Sequence, residues 1–146
     1  MLISSNGLGN TSHAALPPLL KPLYGYALAG PHADKLGMER AVSYAAGWEW
    51  PAADGEPDKT ILPDGWQTRL GSGGWLKQVC VVRPALLTSG DCVGDKSGSD
   101  AKPYRAEDHD LTGSYKVSRK DVAHFIVTQV LPEWQNWNGK CVRIAY

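Results

Sequence analysis

The stretch from Val79 to Thr88 constrains the fold more than any other part of the sequence. It opens with an uninterrupted run of β-branched and other apolar side chains, the pattern of a strand covered on both faces, as in a parallel sheet with helices on either side. Pro84 has no N–H to donate to a neighbouring strand, so we expect the strand to end at Arg83 and Pro84. Because ligands of open α/β sheets bind beyond the carboxyl ends of the strands, the residues predicted to border a binding crevice are Arg83, Pro84, Leu86 and Thr88.

The length and charge of the chain limit the kind of protein it can be. Its 146 residues fit one domain, residues 1–146, with one modest hydrophobic core. The 15 Lys and Arg balance the 15 Asp and Glu, so the whole-chain field attracts neither nucleic acid nor anionic membrane. No apolar run approaches the ~20 residues of a membrane helix, and no signal-peptide pattern follows Met1. We therefore expect a cytoplasmic protein with no nucleic-acid or membrane partner.

The cysteines do not form a metal or disulfide pattern. Cys80, Cys92 and Cys141 are an odd number, widely spaced, and no Cys-x-x-Cys pair occurs. Cys80 and Cys141 fall inside apolar strand patterns, so they are predicted to be small buried hydrophobic residues. We expect no metal site.

The amino-terminal residues read as a strand followed directly by a turn. A strand that begins at Met1 indicates either an edge strand at the terminus or a chain that lacks an upstream segment. An exposed edge from Met1 to Ser5 favours self-pairing into a homo-oligomer. The following Gly7-Leu8-Gly9 is interpreted as a βα turn rather than a phosphate loop, because the third glycine of the phosphate motif is missing.

Two helices and a last strand are predicted further along. One helix starts at Ala33 and is capped by Gly47, with Lys35 and Glu39 spaced for an ion pair. Ser118 is predicted to cap a second helix, whose apolar stripe consists of Val122, Phe125, Ile126, Gln129 and Val130. The last strand, residues 140–146, alternates polar and apolar side chains, which indicates a half-exposed strand at the sheet edge.

Two less regular segments separate these elements. Residues 48–77, rich in Trp, Gly and Pro, are interpreted as an insertion, because they lack periodicity. Their tryptophans either pack the insertion onto the domain or form an exposed partner surface: Trp48, Trp50, Trp66 and Trp75. Residues 89–102, rich in Gly, Ser and Asp, are predicted to be a mobile loop beside the crevice.

The predicted order of elements gives the fold class. Because the predicted strands alternate with helices along the chain, we expect an α/β fold with a parallel or mixed sheet.

Four segments give the chain a resemblance to a known family. They occur in the order and spacing of the carboxyl-terminal half of an atypical short-chain dehydrogenase/reductase: Met1–Leu8, Pro31–Lys35 with Glu39, Val81–Thr88 and Val117–Phe125. The chain most resembles the single-domain NAD(P)-binding proteins similar to NmrA and to flavin and biliverdin reductase, of which fungi have many. The resemblance covers nearly the whole chain apart from the insertion.

The resemblance implies a partial Rossmann-like fold with flanking helices. The family's glycine-rich phosphate turn lies in its first βα unit, which is absent here, so binding of NADP or NAD by this chain alone is expected to be weak or absent. The resemblance also implies a cofactor-contacting set: Ser4, Ser5, Lys35, Arg83, Pro84, Ala85 and Leu86.

The same resemblance implies a catalytic set of Ser5, His32 and Lys35. Lys35 stands where the family has the Lys of its Tyr-x-x-x-Lys pair, and Ser5 where it has the active-site serine. Pro31 occupies the tyrosine position and cannot transfer a proton to a carbonyl oxygen. His32 could substitute, since its ordinary pKa near 6.5 suits that role; a structural role for His32 is the alternative.

Three functional hypotheses follow. The first is an NAD(P)-binding oxidoreductase-like protein, present as its carboxyl-terminal part, that reduces a small carbonyl or related substrate when the missing half completes it. The second is a non-catalytic regulatory or interaction module that keeps half a Rossmann sheet. The third is a truncated product without a selected function. Whether the chain alone is an enzyme is left open.

Overall fold

The computed structural model describes residues 1–96 and 103–146 and shows an α/β fold with a small mixed sheet. Six strands are present in this part of the chain: β1 (Leu2–Ile3), β2 (Val81–Pro84), β3 (Leu86–Thr88), β4 (Arg105–Glu107), β5 (Lys116–Ser118) and β6 (Cys141–Ala145). The main sheet has the order β1-β2-β6-β4, in which β1, β2 and β6 are parallel and β4 is antiparallel to β6. β3 and β5 form a second, two-stranded parallel sheet. The predicted fold class is confirmed.

Helices flank the sheets. Their bounds are α1 (Gly9–Ala14), α2 (Ala29–Ala46), α3 (Trp66–Leu70), α4 (Arg119–Phe125) and α5 (Trp134–Trp137). Short 3₁₀ turns lie at Pro18–Leu20, Ala52–Asp54 and Gly94–Lys96, and π-helical turns at Leu23–Ala27 and Ile126–Val130. None of the helices described here is long and apolar enough to cross a membrane.

β2 is the buried centre of the sheet and runs through Pro84. All four of its residues are buried, and Pro84 lies opposite Ile144 of β6. The next N–H, from Ala85, donates to the Ile144 carbonyl (3.0 Å), so the bonds to β6 continue past the proline. The prediction that the strand ends at Arg83 and Pro84 is confirmed, although the missing donor of Pro84 faces β1 and leaves the hydrogen bonds to β6 intact.

The two outer positions of the sheet differ from the prediction in one respect. Within the described residues β1 is an edge strand, which was one of the two alternatives, and Ile3 is 48% exposed. β6 is not at the edge, because β4 pairs with its other side. The alternation in β6 is real: Val142 and Ile144 are buried while Arg143 is half-buried. β4 was missed because a three-residue Arg-Ala-Glu strand has no apolar pattern of its own.

α2 begins four residues before the predicted start at Ala33. Pro31 lies in its first turn, where a missing N–H costs no helical hydrogen bond. Its carboxyl end is confirmed at Gly47, whose φ of +71° is the left-handed conformation that favours glycine. The Gly47 N–H donates to the Ser43 and Tyr44 carbonyls.

α4 also starts as predicted. The Ser118 hydroxyl accepts from the Asp121 N–H (2.9 Å) and donates to Asp121 Oδ2 (2.7 Å). The predicted apolar stripe is confirmed for its buried members, Val122, Phe125, Ile126 and Val130. They pack into the main core with Cys80, Val82, Val117 and Val142. Cys80 is fully buried as predicted, and all three cysteines are unpaired.

The segment at residues 48–77, which was predicted to be an insertion, packs onto α2 through its aromatic side chains. Trp66 is buried and meets the Tyr44 ring edge-on at 5.2 Å. The Arg40 guanidinium lies 5.6 Å from the Trp50 ring and 5.3 Å from the Trp66 ring, so these indoles are engaged internally. Trp75 is 54% exposed.

The insertion returns to the helix from which it departs. The Gly74 N–H donates to the Tyr44 carbonyl (3.1 Å), and the Leu76 N–H donates to the Ala45 carbonyl (2.8 Å). A Cβ at Gly47 would lie 3.1 Å from the Gly74 Cα, so the absence of a side chain at Gly47 allows the two backbone segments to approach closely. Of the predicted loop at residues 89–102, residues 97–102 lie outside the described part of the chain.

Candidate functional site

A cleft of about 200 Å³ opens at the carboxyl ends of β1 and β2. The chain leaves β2 there to enter β3, and the first turns of α2 form the facing wall. Its lining combines apolar and polar groups: Ser4, Ser5, Tyr24, Leu28, Pro31, His32, Lys35, Pro84, Ala85, Leu86, Leu87 and Arg119. Of the residues that were predicted to border a crevice, Pro84 and Leu86 line this cleft, whereas Arg83 and Thr88 do not.

The cleft brings together most of the residues that the sequence singled out. Every predicted catalytic and cofactor-contacting position except Arg83 lines it: Ser4, Ser5, His32, Lys35, Pro84, Ala85 and Leu86. They come from three segments separated by up to 80 residues, and the parallel pairing of β1 with β2 places the segments side by side.

Arg83 points away from this cleft. It is buried, and its Nε donates to both carboxylate oxygens of Glu39 on α2, at 3.0 and 3.1 Å. Burial alone lowers the pKa of the Arg83 guanidinium, but the hydrogen bonds and charge of Glu39 outweigh it and raise the pKa. The predicted ion pair between Lys35 and Glu39 is therefore replaced by a buried Arg83–Glu39 pair, which fixes α2 to the sheet.

Ser5 and His32 form the polar pair of the cleft. The Ser5 Oγ lies 3.2 Å from His32 Nε2, and the His32 ring meets the Tyr24 ring edge-on at 4.9 Å. Burial lowers the pKa of His32 below its ordinary 6.5, and the charges of Lys35 and His13 lower it further. The imidazole is consequently neutral at pH 7 and can exchange a proton with the Ser5 hydroxyl.

Lys35 is held by the backbone of β1. Its Nζ donates to the Ser4 carbonyl at 2.9 Å. Desolvation lowers the pKa of Lys35, and the carboxylate of Glu39 opposes that shift. The ammonium is thus fixed at the end of β1, inside the cleft.

Two hydroxyl groups in the cleft have no hydrogen-bond partner within residues 1–96 and 103–146. The Ser4 Oγ is buried and unpaired. Tyr24 is 3% exposed, burial raises its pKa, and no hydrogen bond engages its hydroxyl in this part of the chain. Because buried polar groups are normally hydrogen-bonded, the buried Ser4 hydroxyl is suited to contact a ligand.

Tyr24 and Arg119 are lining residues that sequence reasoning missed. The segment around Tyr24 is broken by prolines, and nothing in its sequence marked the one phenol that is buried. Arg119 stands inside the Val117–Phe125 segment that carried the family resemblance, where it was read only as the start of a helix. Together with Lys35 it gives the cleft two cationic side chains, and no acidic side chain lines the cleft in the described residues.

The turn after β1 does not form a phosphate site. Gly7 and Gly9 have φ values of +73° and +71°, and a Cβ at Gly7 would come within 2.6 Å of Leu16. A Cβ at Gly9 would meet the Asp54 carboxyl group. That carboxylate already accepts from the Thr11 N–H of α1 at 2.8 Å. The βα-turn interpretation is confirmed, since an anion of the protein itself takes the place a phosphate would need.

These observations define an α/β protein with a partly polar cleft at the carboxyl ends of parallel strands. A curated relative is Reductase pytE from Aspergillus terreus, which is 30% identical over 148 residues. The match covers 99% of this chain and 46% of that protein, so the chain spans about half the length of the relative. No protein-family model matches the sequence, and no solved structure matches it.

Proposed function

We propose that this chain forms the nicotinamide- and substrate-facing part of an NAD(P)-dependent reductase acting on a small carbonyl or related substrate. The observation that carries the proposal is the convergence of Ser4, Ser5, His32 and Lys35 on one cleft. The name of the relative, a reductase, supports an oxidoreductase of this general kind. The finer assignment, NmrA-like and NAD(P)-binding, has the support of the four segments that resemble atypical short-chain dehydrogenase/reductases.

The residues of the cleft fit a nicotinamide group. Such a cofactor supplies a hydride to the substrate when it is bound. Pro84 and Ala85 offer a flat apolar wall for an aromatic ring, and the unpaired Ser4 hydroxyl can bond a carboxamide. Lys35 can donate to a ribose hydroxyl from the position that the Ser4 carbonyl gives it.

The chain's own groups can move a proton to the substrate oxygen. With its neutral ring protonated at Nε2, His32 donates to the Ser5 Oγ, and the Ser5 hydroxyl donates to the oxygen that gains negative charge. Lys35 and Arg119 stabilise that charge, since no carboxylate lines the described part of the cleft to oppose them. The proposed ligands are accordingly neutral or anionic rather than cationic.

A cofactor titration tests the binding part of the proposal. We expect NADPH and reduced nicotinamide mononucleotide to bind this chain with similar, weaker than micromolar affinity, because the sequence has no Gly-x-Gly-x-x-Gly turn to hold the adenosine diphosphate. Nicotinamide fluorescence measures both affinities. Lys35→Met should abolish binding, whereas Lys21→Met, outside the cleft, should leave it unchanged.

Two results would count against the proposal. Absence of binding of either nucleotide at millimolar concentration would remove the cofactor from this cleft. Submicromolar affinity for NADPH, with weaker binding of the mononucleotide, would show that the chain binds the adenosine diphosphate part through residues outside this cleft.

A further inference from the structure

We infer that Pro84 is a positioning residue for Lys35: by lacking an N–H, it leaves the Ser4 carbonyl of β1 free to hold the Lys35 ammonium in the cleft. The inference goes beyond the proposed function, which it needs only to give the fixed lysine a role.

The hydrogen bonds between β1 and β2 show where one is missing. The N–H groups of Leu2, Ser4 and Asn6 donate in turn to the carbonyls of Cys80, Val82 and Pro84, at 2.9, 2.7 and 2.8 Å. In a parallel pair, bonds in the other direction alternate with these. The bond that should follow the Ser4 N–H joins the Ser4 carbonyl to the N–H of residue 84, which proline lacks.

The unpaired carbonyl is taken by a side chain from another element. Lys35 Nζ donates to the Ser4 oxygen at 2.9 Å. A part-buried carbonyl needs a partner, and a part-buried ammonium needs an acceptor, because desolvation lowers the pKa of Lys35. One contact satisfies both groups, and it can form only because the strand pair leaves that oxygen free.

The position of Pro84 in the sheet keeps the loss of stability small. Its nitrogen faces β1, while Ala85 donates to Ile144 on the β6 side. A proline one residue earlier or later would instead remove a bond between the two central strands. The sheet therefore loses one hydrogen bond at its edge and gains a fixed cation in the cleft.

A double-mutant cycle tests the inference. In the wild-type chain, Lys35→Met leaves the Ser4 carbonyl unsatisfied, and we expect the folding equilibrium constant to fall about tenfold. In a Pro84→Ala background, the new N–H occupies that carbonyl, so Lys35→Met should change the constant by less than about twofold. Urea unfolding measures all four chains. Equal effects of Lys35→Met in the two backgrounds would overturn the inference.

A second readout follows the lysine itself. The pH midpoint for acylation of Lys35, measured by peptide mass spectrometry, should fall in Pro84→Ala, because the desolvated ammonium loses its acceptor. Pro31→Ala is the matched control: it makes the same exchange in the same cleft, but in the first turn of α2 rather than opposite Ser4. A midpoint that is unchanged in Pro84→Ala, or that moves equally in both variants, contradicts the assignment.

The wild-type backbone provides a test if Pro84→Ala does not fold. The ¹³C carbonyl resonance of Ser4 should shift in Lys35→Met and stay in place in Lys21→Met, and an unshifted resonance in Lys35→Met overturns the inference. None of these measurements uses a nucleotide. A chain that fails to bind nicotinamide but shows the coupling would refute the proposed function and keep the role of Pro84.

Discussion

His32 is the histidine of the cleft, and its pKa lies below the ordinary value. Its ring lies between the Ser5 hydroxyl and the edge of Tyr24, and Lys35 shares the cleft with it. The sequence suggested a proton donor with an ordinary pKa near 6.5. Burial and the neighbouring cation lower that pKa, so the imidazole that the proposed mechanism uses is neutral at pH 7.

The His32 pKa gives a prediction at this scale. The His32 Cε1–H resonance should titrate below pH 6.5, and Lys35→Met should move its midpoint upward, because one of the charges that lower the pKa is removed. NMR titration measures both midpoints. Lys21→Met serves as the control, and a downward shift in Lys35→Met would contradict the electrostatic account.

The same shift has a consequence for stability. Below pH 6.5 an unfolded chain binds a proton at His32 more readily than the folded chain does. The His32 contribution to the free energy of unfolding is therefore complete above the unfolded pKa and is lost as the pH falls from there through the lower folded pKa.

At the scale of elements, Asp121 joins three segments around the start of α4. Its carboxylate is fully buried and accepts from the Tyr146 hydroxyl (2.6 Å), the Ser118 hydroxyl (2.7 Å) and the Gly94 N–H (2.8 Å). Burial alone raises the pKa of Asp121, but these hydrogen bonds outweigh it and lower the pKa to about 2. The carboxylate thus ties α4 to the residue after β6 and to the loop that follows β3.

Replacing Asp121 should be costly and pH-dependent. A pKa of about 2 against an ordinary 3.8 corresponds to about 2 to 3 kcal/mol of stability at neutral pH, which is lost as the pH falls from about 4 towards 2. Asp121→Asn should remove about that amount in urea unfolding at pH 7. Tyr146→Phe, which removes one donor, should cost about 1 kcal/mol. Equal costs for the two variants would show that the charge contributes nothing.

At the scale of the whole molecule, β1 has an outer edge that is unpaired within the described residues and can recruit another chain. Met1 and Ile3 are each 48% exposed at this edge, and unpaired strand edges are templates for further pairing. We propose that two copies pair through it. Sedimentation velocity should show concentration-dependent dimers that Ile3→Lys abolishes. Val127→Lys is the control, because Val127 is an exposed apolar residue of the π-helical turn Ile126–Val130, and this change should leave the dimers intact. A wild-type chain that stays monomeric at high concentration contradicts the proposal.

The sequence predicted those parts of the molecule that local pattern decides. The apolar run before Pro84, the Ser118 cap and the Gly47 end of α2 each carry their own signal. β3 pairs with β5 over three residues each, so neither has a pattern that stands out from a loop. The direction of Arg83 could not be predicted, because its partner Glu39 comes from α2 and the local strand pattern does not specify which side chain of that helix Arg83 meets.

The cleft was predicted less fully than the fold, for a related reason. Ser5, His32 and Lys35 were named from a family resemblance, and the strand register brought them together. The contact between Lys35 and the Ser4 carbonyl depends on that register, which no single segment encodes. The position of the Tyr24 side chain depends on how the segment before α2 folds over the cleft. Three prolines spread among apolar residues do not specify the path of that segment.

The meeting of Gly47 and Gly74 bears on how this architecture could have changed in length. The backbone leaves the end of α2 at Gly47 and returns to hydrogen-bond the last turn of the same helix at Gly74. Residues 48–73 therefore form a long loop whose two ends are adjacent. A loop with adjacent ends can change in length or sequence without changing the path of the chain into β2. The tryptophan-bearing segment is thus a position where the surface of the protein can vary while the geometry around Pro84 stays as it is.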